Sequence, residues 1–309
     1  MEIVKLFNAL PGACAQGLIW GIMAIGVYIT YKVLDLADLT VDGTMATGGA
    51  VCIMMMLNGY PVGISLLAAF GAGMLAGLVT GLLHTVMGIP AILSGILTQL
   101  GLYSINLRIL GGKANQAISV DKYDLLVSLR WVKGVPFYKN TIFVTVLFVI
   151  CIIAVLYWFF GTELGCSIRA TGCNANMSRA QGINTDVNKI LGLMLSNGIV
   201  ALASGLYTQY QGFADINAGR GAIVIGLAAV IIGQVVFGKI RGNFAFKLLS
   251  VAFGAIIYYL VLQVVLWLGL NSNDLKLLSA IVVAVFLAIP YLKGKYFARP
   301  VKRGGASHA

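Results

Sequence analysis

Three carboxylates crowd the edge of an apolar stretch: Asp35, Asp38 and Asp42 lie within residues 34–50, LDLADLTVDGTMATGGA, beside Gly43, Gly48 and Gly49. An ionisable group at membrane depth is costly, so a carboxylate that enters an apolar span marks a functional site by default. Asp42-Gly43 is expected to break the helix here, letting one half-helix start within the bilayer with free N–H groups and positive partial charge at its end. Such an end attracts a carboxylate, while Asp38 or Asp42 can meet an ammonium group; together they describe a site for a zwitterion. Much later in the chain, Arg220 ahead of Gly221 adds a cation beside a second expected helix start. The competing reading has these residues capping helices from the water side, and it suits Asp35 better than Asp42.

Other chemistry is poorly supported. Cys14, Cys52, Cys151, Cys166 and Cys173 show no paired spacing, and His84 and His308 are the two histidines, so neither a disulfide framework nor a metal site is expected. Residues 233–239, GQVVFGK, imitate a phosphate loop, but Ile240 stands where Ser or Thr would hold magnesium, and an apolar span precedes it. No Ser/His constellation is available, and an aspartyl pair would need Asp215, expected on the other side from Asp42. The chain is therefore not expected to be an enzyme.

A second polar stretch interrupts the chain at residues 161–189, GTELGCSIRATGCNANMSRAQGINTDVNK, between two apolar runs. Asn174 is an expected N-cap, residues 175–181 have helical propensity, and Gly182 is the residue type that ends helices. A short rod carrying Arg179 is expected there, outside the lipid.

The elements that must position these residues follow from composition. Of 309 residues, 60% are hydrophobic and only 10% charged, which excludes a soluble domain. The apolar runs are about 20 residues long, the length of a membrane-spanning helix and not of a barrel strand. The predicted fold is an all-α polytopic membrane protein with about nine transmembrane helices, at 12–30, 41–57, 62–83, 91–110, 141–160, 190–210, 221–237, 247–268 and 275–290. The net charge of +11 is spread over the ends of these runs, which reports topology and argues against nucleic acid as a partner. Eleven of the 21 basic residues fall on the face that carries the central loop, the turn after the seventh span and the tail 291–309, and the positive-inside rule makes that face cytoplasmic. Gly12–Thr30 is too long for a signal h-region and reads as a first span.

Two patterns bear on packing. Gly73, Gly77 and Gly81 form a smooth face that admits another backbone. An inverted repeat is also expected: Asp38-x4-Gly43-x4-Gly48 is echoed by Asp215-x5-Gly221-x4-Gly226, Ala69-Phe-Gly-Ala72 by Ala252-Phe-Gly-Ala255, and Leu93-Ser-Gly-Ile96 by Leu278-Ser-Ala-Ile281. The units, about 38–110 and 215–290, match spans two to four with seven to nine, an odd offset that reverses topology, as in many transporters.

These stretches resemble the permease subunits of bacterial ABC importers, in the branched-chain amino acid and ribose permease superfamily. The loop from Glu163 to Lys189, with Gly165, Arg169, Ala170, Asn174, Ala180 and Gly182-Ile183-Asn184, is similar to that family's coupling-helix loop. Asp38-Leu-Thr40-Val-Asp42-Gly43 is similar to the variant in permeases linked to tryptophan and tyrosine uptake, whereas sugar permeases lack the second Asp. The resemblance implies a bacterial cytoplasmic membrane protein, two copies of which form a pathway. It further implies separate ATPase subunits holding ATP and magnesium, and an extracytoplasmic binding protein that delivers substrate. It puts Asp38, Thr40, Asp42 and Gly43 on the pathway, which the residue reading extends to Arg220 and Gly221, and Glu163, Gly165, Arg169, Ala170, Asn174, Arg179, Gly182 and Ile183 in coupling, with Arg169 and Arg179 expected as polar contacts to the ATPase. The alternative is an ion-coupled secondary transporter or channel for a small polar solute, which would not need a docking rod in the central loop.

Overall fold

In this computed structural model the described residues are 2–120, 122–132, 136, 139–237, 243–267, 277, 279–286 and 288. They form ten α-helices: α1 (Glu2–Tyr28), α2 (Thr40–Leu57), α3 (Val62–Thr85), α4 (Ala91–Ile109), α5 (Thr141–Phe159), α6 (Glu163–Cys173), α7 (Ala175–Ala180), α8 (Thr185–Gln211), α9 (Ala222–Phe237) and α10 (Phe244–Trp267). A π-helical turn, Ile29–Val33, extends α1. A short ribbon pairs β1 (Asn115–Ala117) antiparallel with β2 (Phe213–Asp215), Asn115 opposite Asp215.

Six segments are long and apolar enough to cross a membrane: Ala9–Val33, Thr40–Leu57, Val62–Thr85, Thr141–Phe159, Thr185–Gln211 and Phe244–Trp267. The helices α4 and α9 coincide with two further expected spans, α9 being a shorter apolar helix. Of the expected ninth span, residues 279–286 are helical and the rest lies largely outside the described residues. The tail and the turn at 238–242 also lie outside them.

Backbone contact, not side-chain volume, sets the packing, as expected where lipid removes the hydrophobic drive between helices. The expected glycine face of α3 runs along α8: a Cβ at Gly73 would overlap the Asn197 carbonyl, one at Gly77 the Leu193 carbonyl, and one at Gly81 would lie 3.0 Å from the Ile190 Cα. On the other side α1 runs antiparallel to α10, with Gly17 against Ile256 and Gly21 against Ala252. Gly26 of α1 meets Ser196 and Val200 of α8, so α1 and α8 stand together at the centre.

The direction of α8 supplies a scale of depth. It begins next to α7, its Asn184 cap accepting from the Asp186 and Val187 N–H groups, and ends at Gly212 with φ +81°, beside the ribbon. Its 27 residues span about 40 Å at 1.5 Å per residue.

Candidate substrate pathway and coupling site

Asn197 is twelve residues past Thr185 on α8, about 18 Å along it and so near half depth. There its Nδ2 donates to Asp38 Oδ2 at 2.7 Å and its Oδ1 accepts from Thr44 Oγ1 at 2.7 Å. The other oxygen of Asp38 accepts from the Thr40 N–H at 2.9 Å, which caps the start of α2. Thr40 Oγ1 lies 2.7 Å from Thr80 Oγ1 of α3, which in turn donates to Thr98 Oγ1 of α4 at 2.9 Å. Asp38, Asn197 and all four threonines are buried, so the start of α2 is tied to three other helices by a closed polar cluster.

The helix break therefore falls at 34–39, and α2 runs unbroken through Asp42-Gly43, contrary to the expectation from sequence. The cause is the Asp38 cap, which lets helix begin at Thr40. Asp35 stays exposed in the connecting segment with φ +55°, in keeping with the water-side reading for that residue. Because Asp38 itself occupies the N–H of Thr40, this helix start is already supplied with a carboxylate.

Asp42 has a similar fate. Its Oδ2 accepts from the Gly221 N–H and its Oδ1 from the Ile223 N–H, both at 3.0 Å, so the first turn of α2 caps the start of α9. Gly219 makes this approach possible, since any Cβ there would overlap the Asp42 carbonyl oxygen. From this point the two helices diverge. Thr44, Gly48 and Cys52 of α2 meet Asn197, Ala201 and Gly205 of α8 in turn, towards the ribbon. The other helix, α9, passes Val27 at Gly226 and ends with Gln234 and Phe237 beside Lys32, Gly172 and Cys173, at the end occupied by α6 and α7. Two helices thus start head to head at half depth and run to opposite ends.

A cavity of about 310 Å³ opens beside this junction, lined by Asp42, Gly43 and Arg220 and walled by α4. Arg220 is exposed, and among the described residues its guanidinium has no hydrogen-bond or ion-pair partner. The structure thus brings Asp38, Thr40, Asp42, Gly43, Arg220 and Gly221 to one region.

The central loop holds two helices where one was expected. Besides α7, capped by Asn174 through the Met177 N–H at 3.0 Å and ended by Gly182 at φ +80°, the structure has α6, capped by Thr162 through the Gly165 N–H at 3.3 Å. Asn188 of α8 donates to Ser167 Oγ at 2.6 Å and Thr171 Oγ1 at 2.9 Å, and Gly172 lies directly against the Val33 carbonyl. The loop is thereby fixed both to α8 and to the segment that leads to Asp38. Glu163, Ala170, Asn174 and Gly182 are exposed and Ile183 is half-buried. Gly165 is buried against the Phe159 carbonyl, a packing position. Arg169 holds its guanidinium 5.5 Å from the Phe244 ring centre, and Arg179 donates to Thr185 Oγ1 at 2.7 Å and pairs with Asp186 at 3.2 Å. Both arginines remain exposed.

Sequence reasoning did not single out Asn197, Thr80 or Thr98. An amide in the middle of an otherwise apolar span was the available signal for Asn197, and the same signal marks Gln99 and Asn106 in α4.

A bundle in which two helices begin at half depth, with the folded loop 161–189 locked to them, has the broken-helix architecture found in many transporters. Comparison with known proteins gives the family: the one described as branched-chain amino acid transport system / permease component matches residues 11–290, and the chain belongs to it. It is a multi-pass permease of the ABC importer class in the bacterial cytoplasmic membrane, and its relatives are permease subunits. A tyrosine transport system permease protein of Clostridioides difficile is 40% identical over 281 residues, 91% of each chain. An uncharacterized protein of Rickettsia prowazekii is 33% identical, covering 91% of this chain and 97% of that one. An autoinducer 2 import system permease protein of Yersinia pestis is 29% identical over 72% of this chain and 63% of its own. Among solved structures, PsaBC from Streptococcus pneumoniae in complex with Fab shares the fold at a TM-score of 0.53 and 16% identity, over 95% of this chain and 99% of that one.

Proposed function

We propose that this permease imports an aromatic amino acid. The 40% identity to a tyrosine transport permease supports the substrate class, and the head-to-head junction of α2 and α9 at Asp42 is the observation that carries the pathway assignment. The helix starts are held by the protein's own carboxylates, so Asp38 with Thr40, and Asp42 with Gly221, form the hinge of the pathway. Gly43 and Arg220 face the cavity that substrate crosses.

Two copies of the chain form the pathway, each with nine spans built as inverted units of about 38–110 and 215–290. Support comes from the opposite directions of α2 and α9 and from the matching turns at their approach, where Asp38 accepts from the N–H of Thr40 and Asp215 from that of Asn217, both at 2.9 Å. A binding protein delivers substrate from outside. Separate ATPase subunits bind ATP and magnesium and dock on residues 161–189, with Glu163, Arg169, Ala170, Asn174, Arg179, Gly182 and Ile183 at the contact.

Coupling is mechanical. Closure of the ATPase pair displaces α7 and α6, and the Asn188–Thr171 and Gly172–Val33 contacts pass the displacement to α8 and to the segment ahead of Asp38. The hinge shifts because the ATPase contacts the loop differently in its two states. In a strain deprived of its own aromatic amino acid uptake, the complete transporter restores accumulation of labelled tyrosine, and omission of this permease removes it. Restoration for sugars alone would overturn the assignment.

A further inference from the structure

The cavity beside Asp42 contains unpartnered polar groups on α4 that the pathway assignment does not use. We propose that Gln99, Tyr103 and Asn106 of α4, acting with Arg220, form a selective subsite for a single aromatic amino acid. The proposal rests on the aromatic import reading and adds that the permease itself discriminates among side chains.

Size comes first. About 310 Å³ is at the small end of pockets that take small molecules and suits one amino acid, not a disaccharide or peptide. The lining combines a cation with apolar and amide groups. Arg220 offers a guanidinium without a partner among the described residues, and a carboxylate is the anion its paired N–H groups fit. From α4, Leu100 and the ring of Tyr103 add an apolar and aromatic lining on which a second ring can lie.

Asn106 is the sharpest indication. It is 1% exposed, its Nδ2 donates to the Gly43 carbonyl at 3.4 Å, and its Oδ1 is buried without a hydrogen-bond partner. A buried acceptor left unmade is costly, and a donor entering the cavity would satisfy it. The Gln99 amide in the same cavity likewise has no partner among the described residues. Asp42 already accepts two backbone N–H groups, so the ammonium and any phenol hydroxyl of the ligand fall to the Gln99 and Asn106 oxygens.

The test uses the complete importer, with its ATPase and binding protein, in liposomes. Initial uptake of tyrosine and of leucine is measured for wild type, Tyr103→Ala, Gln99→Leu, Arg220→Ala and Arg220→Lys. ATPase activity stimulated by the binding protein serves as the check on folding and docking. Tyr103→Ala and Gln99→Leu are expected to reduce the tyrosine-to-leucine uptake ratio about tenfold while stimulation persists. Arg220→Ala is expected to reduce uptake of both amino acids about tenfold, with partial recovery in Arg220→Lys. Should an alanine or leucine variant lose stimulation, Tyr103→Phe and Gln99→Glu are to be read for the same ratio. Unchanged ratios in an importer that moves tyrosine overturn this inference alone. A wild-type importer that moves no amino acid overturns the import reading, and the subsite with it.

Discussion

The carboxylate of Asp42, in the first turn of α2, accepts the backbone N–H of Ile223 in the first turn of α9 at 3.0 Å, so one helix start caps another across 181 residues of sequence. Neither helix can shift along its axis without disturbing the other. Asp42→Ala removes the acceptor for two part-buried donors and is expected to destabilise the permease by about 1–2 kcal/mol and to reduce uptake. Asp42→Asn keeps one acceptor and should fall between the two. Thermal unfolding of the purified permease in detergent, read alongside uptake, checks both.

Asn197 on α8 links Asp38 to Thr44. Asn197→Leu leaves the buried Asp38 carboxylate with Thr40 as its remaining partner residue, and about 3 kcal/mol of stability should be lost. Asn197→Asp puts a second carboxylate at 2.7 Å from the first and should be no better tolerated. The amount of folded, monodisperse permease recovered from membranes reports the effect.

Gly77 carries no chemistry, yet its Cβ position is filled by the Leu193 carbonyl of α8. Gly77→Leu should separate α3 from α8, costing about 1–3 kcal/mol and loosening Thr80 from Thr40. Gly71, with open space around it, is the control: Gly71→Leu should leave the melting temperature near that of wild type.

Much of this was legible in the sequence. Apolar runs located the helices, the Gly73, Gly77, Gly81 spacing identified the face that meets α8, and Asn174 with Gly182 bracketed α7. The helix α6 was not legible because its buried face is Gly165, Ile168 and Thr171, a single apolar side chain among three, so no hydrophobic stripe announces it. The role of Asp42 was hidden for another reason. Its partners are backbone N–H groups, which every non-proline residue has, and no pattern of side chains can signal them. The Asp38–Asn197 pair joins residues 159 apart, a relationship that only the packed bundle creates.

Arg179 is exposed and lies at the end of α7, paired with Asp186. Arg179→Glu sets like charges side by side at a solvated position, so the fold should change by no more than about 0.5 kcal/mol. Docking should suffer instead: the ATPase is expected to co-purify poorly and uptake to fall, with the melting temperature of the isolated permease preserved. Normal co-purification and uptake would remove Arg179 from the contact.

ATP dependence of transport is the most direct test. With permease, ATPase and binding protein reconstituted in sealed liposomes, labelled tyrosine should accumulate against its gradient when ATP and magnesium are supplied to the ATPase side. It should not accumulate under a proton or sodium gradient without ATP. Accumulation driven by an ion gradient alone, or none with ATP in a complex whose ATPase is active, would contradict the account.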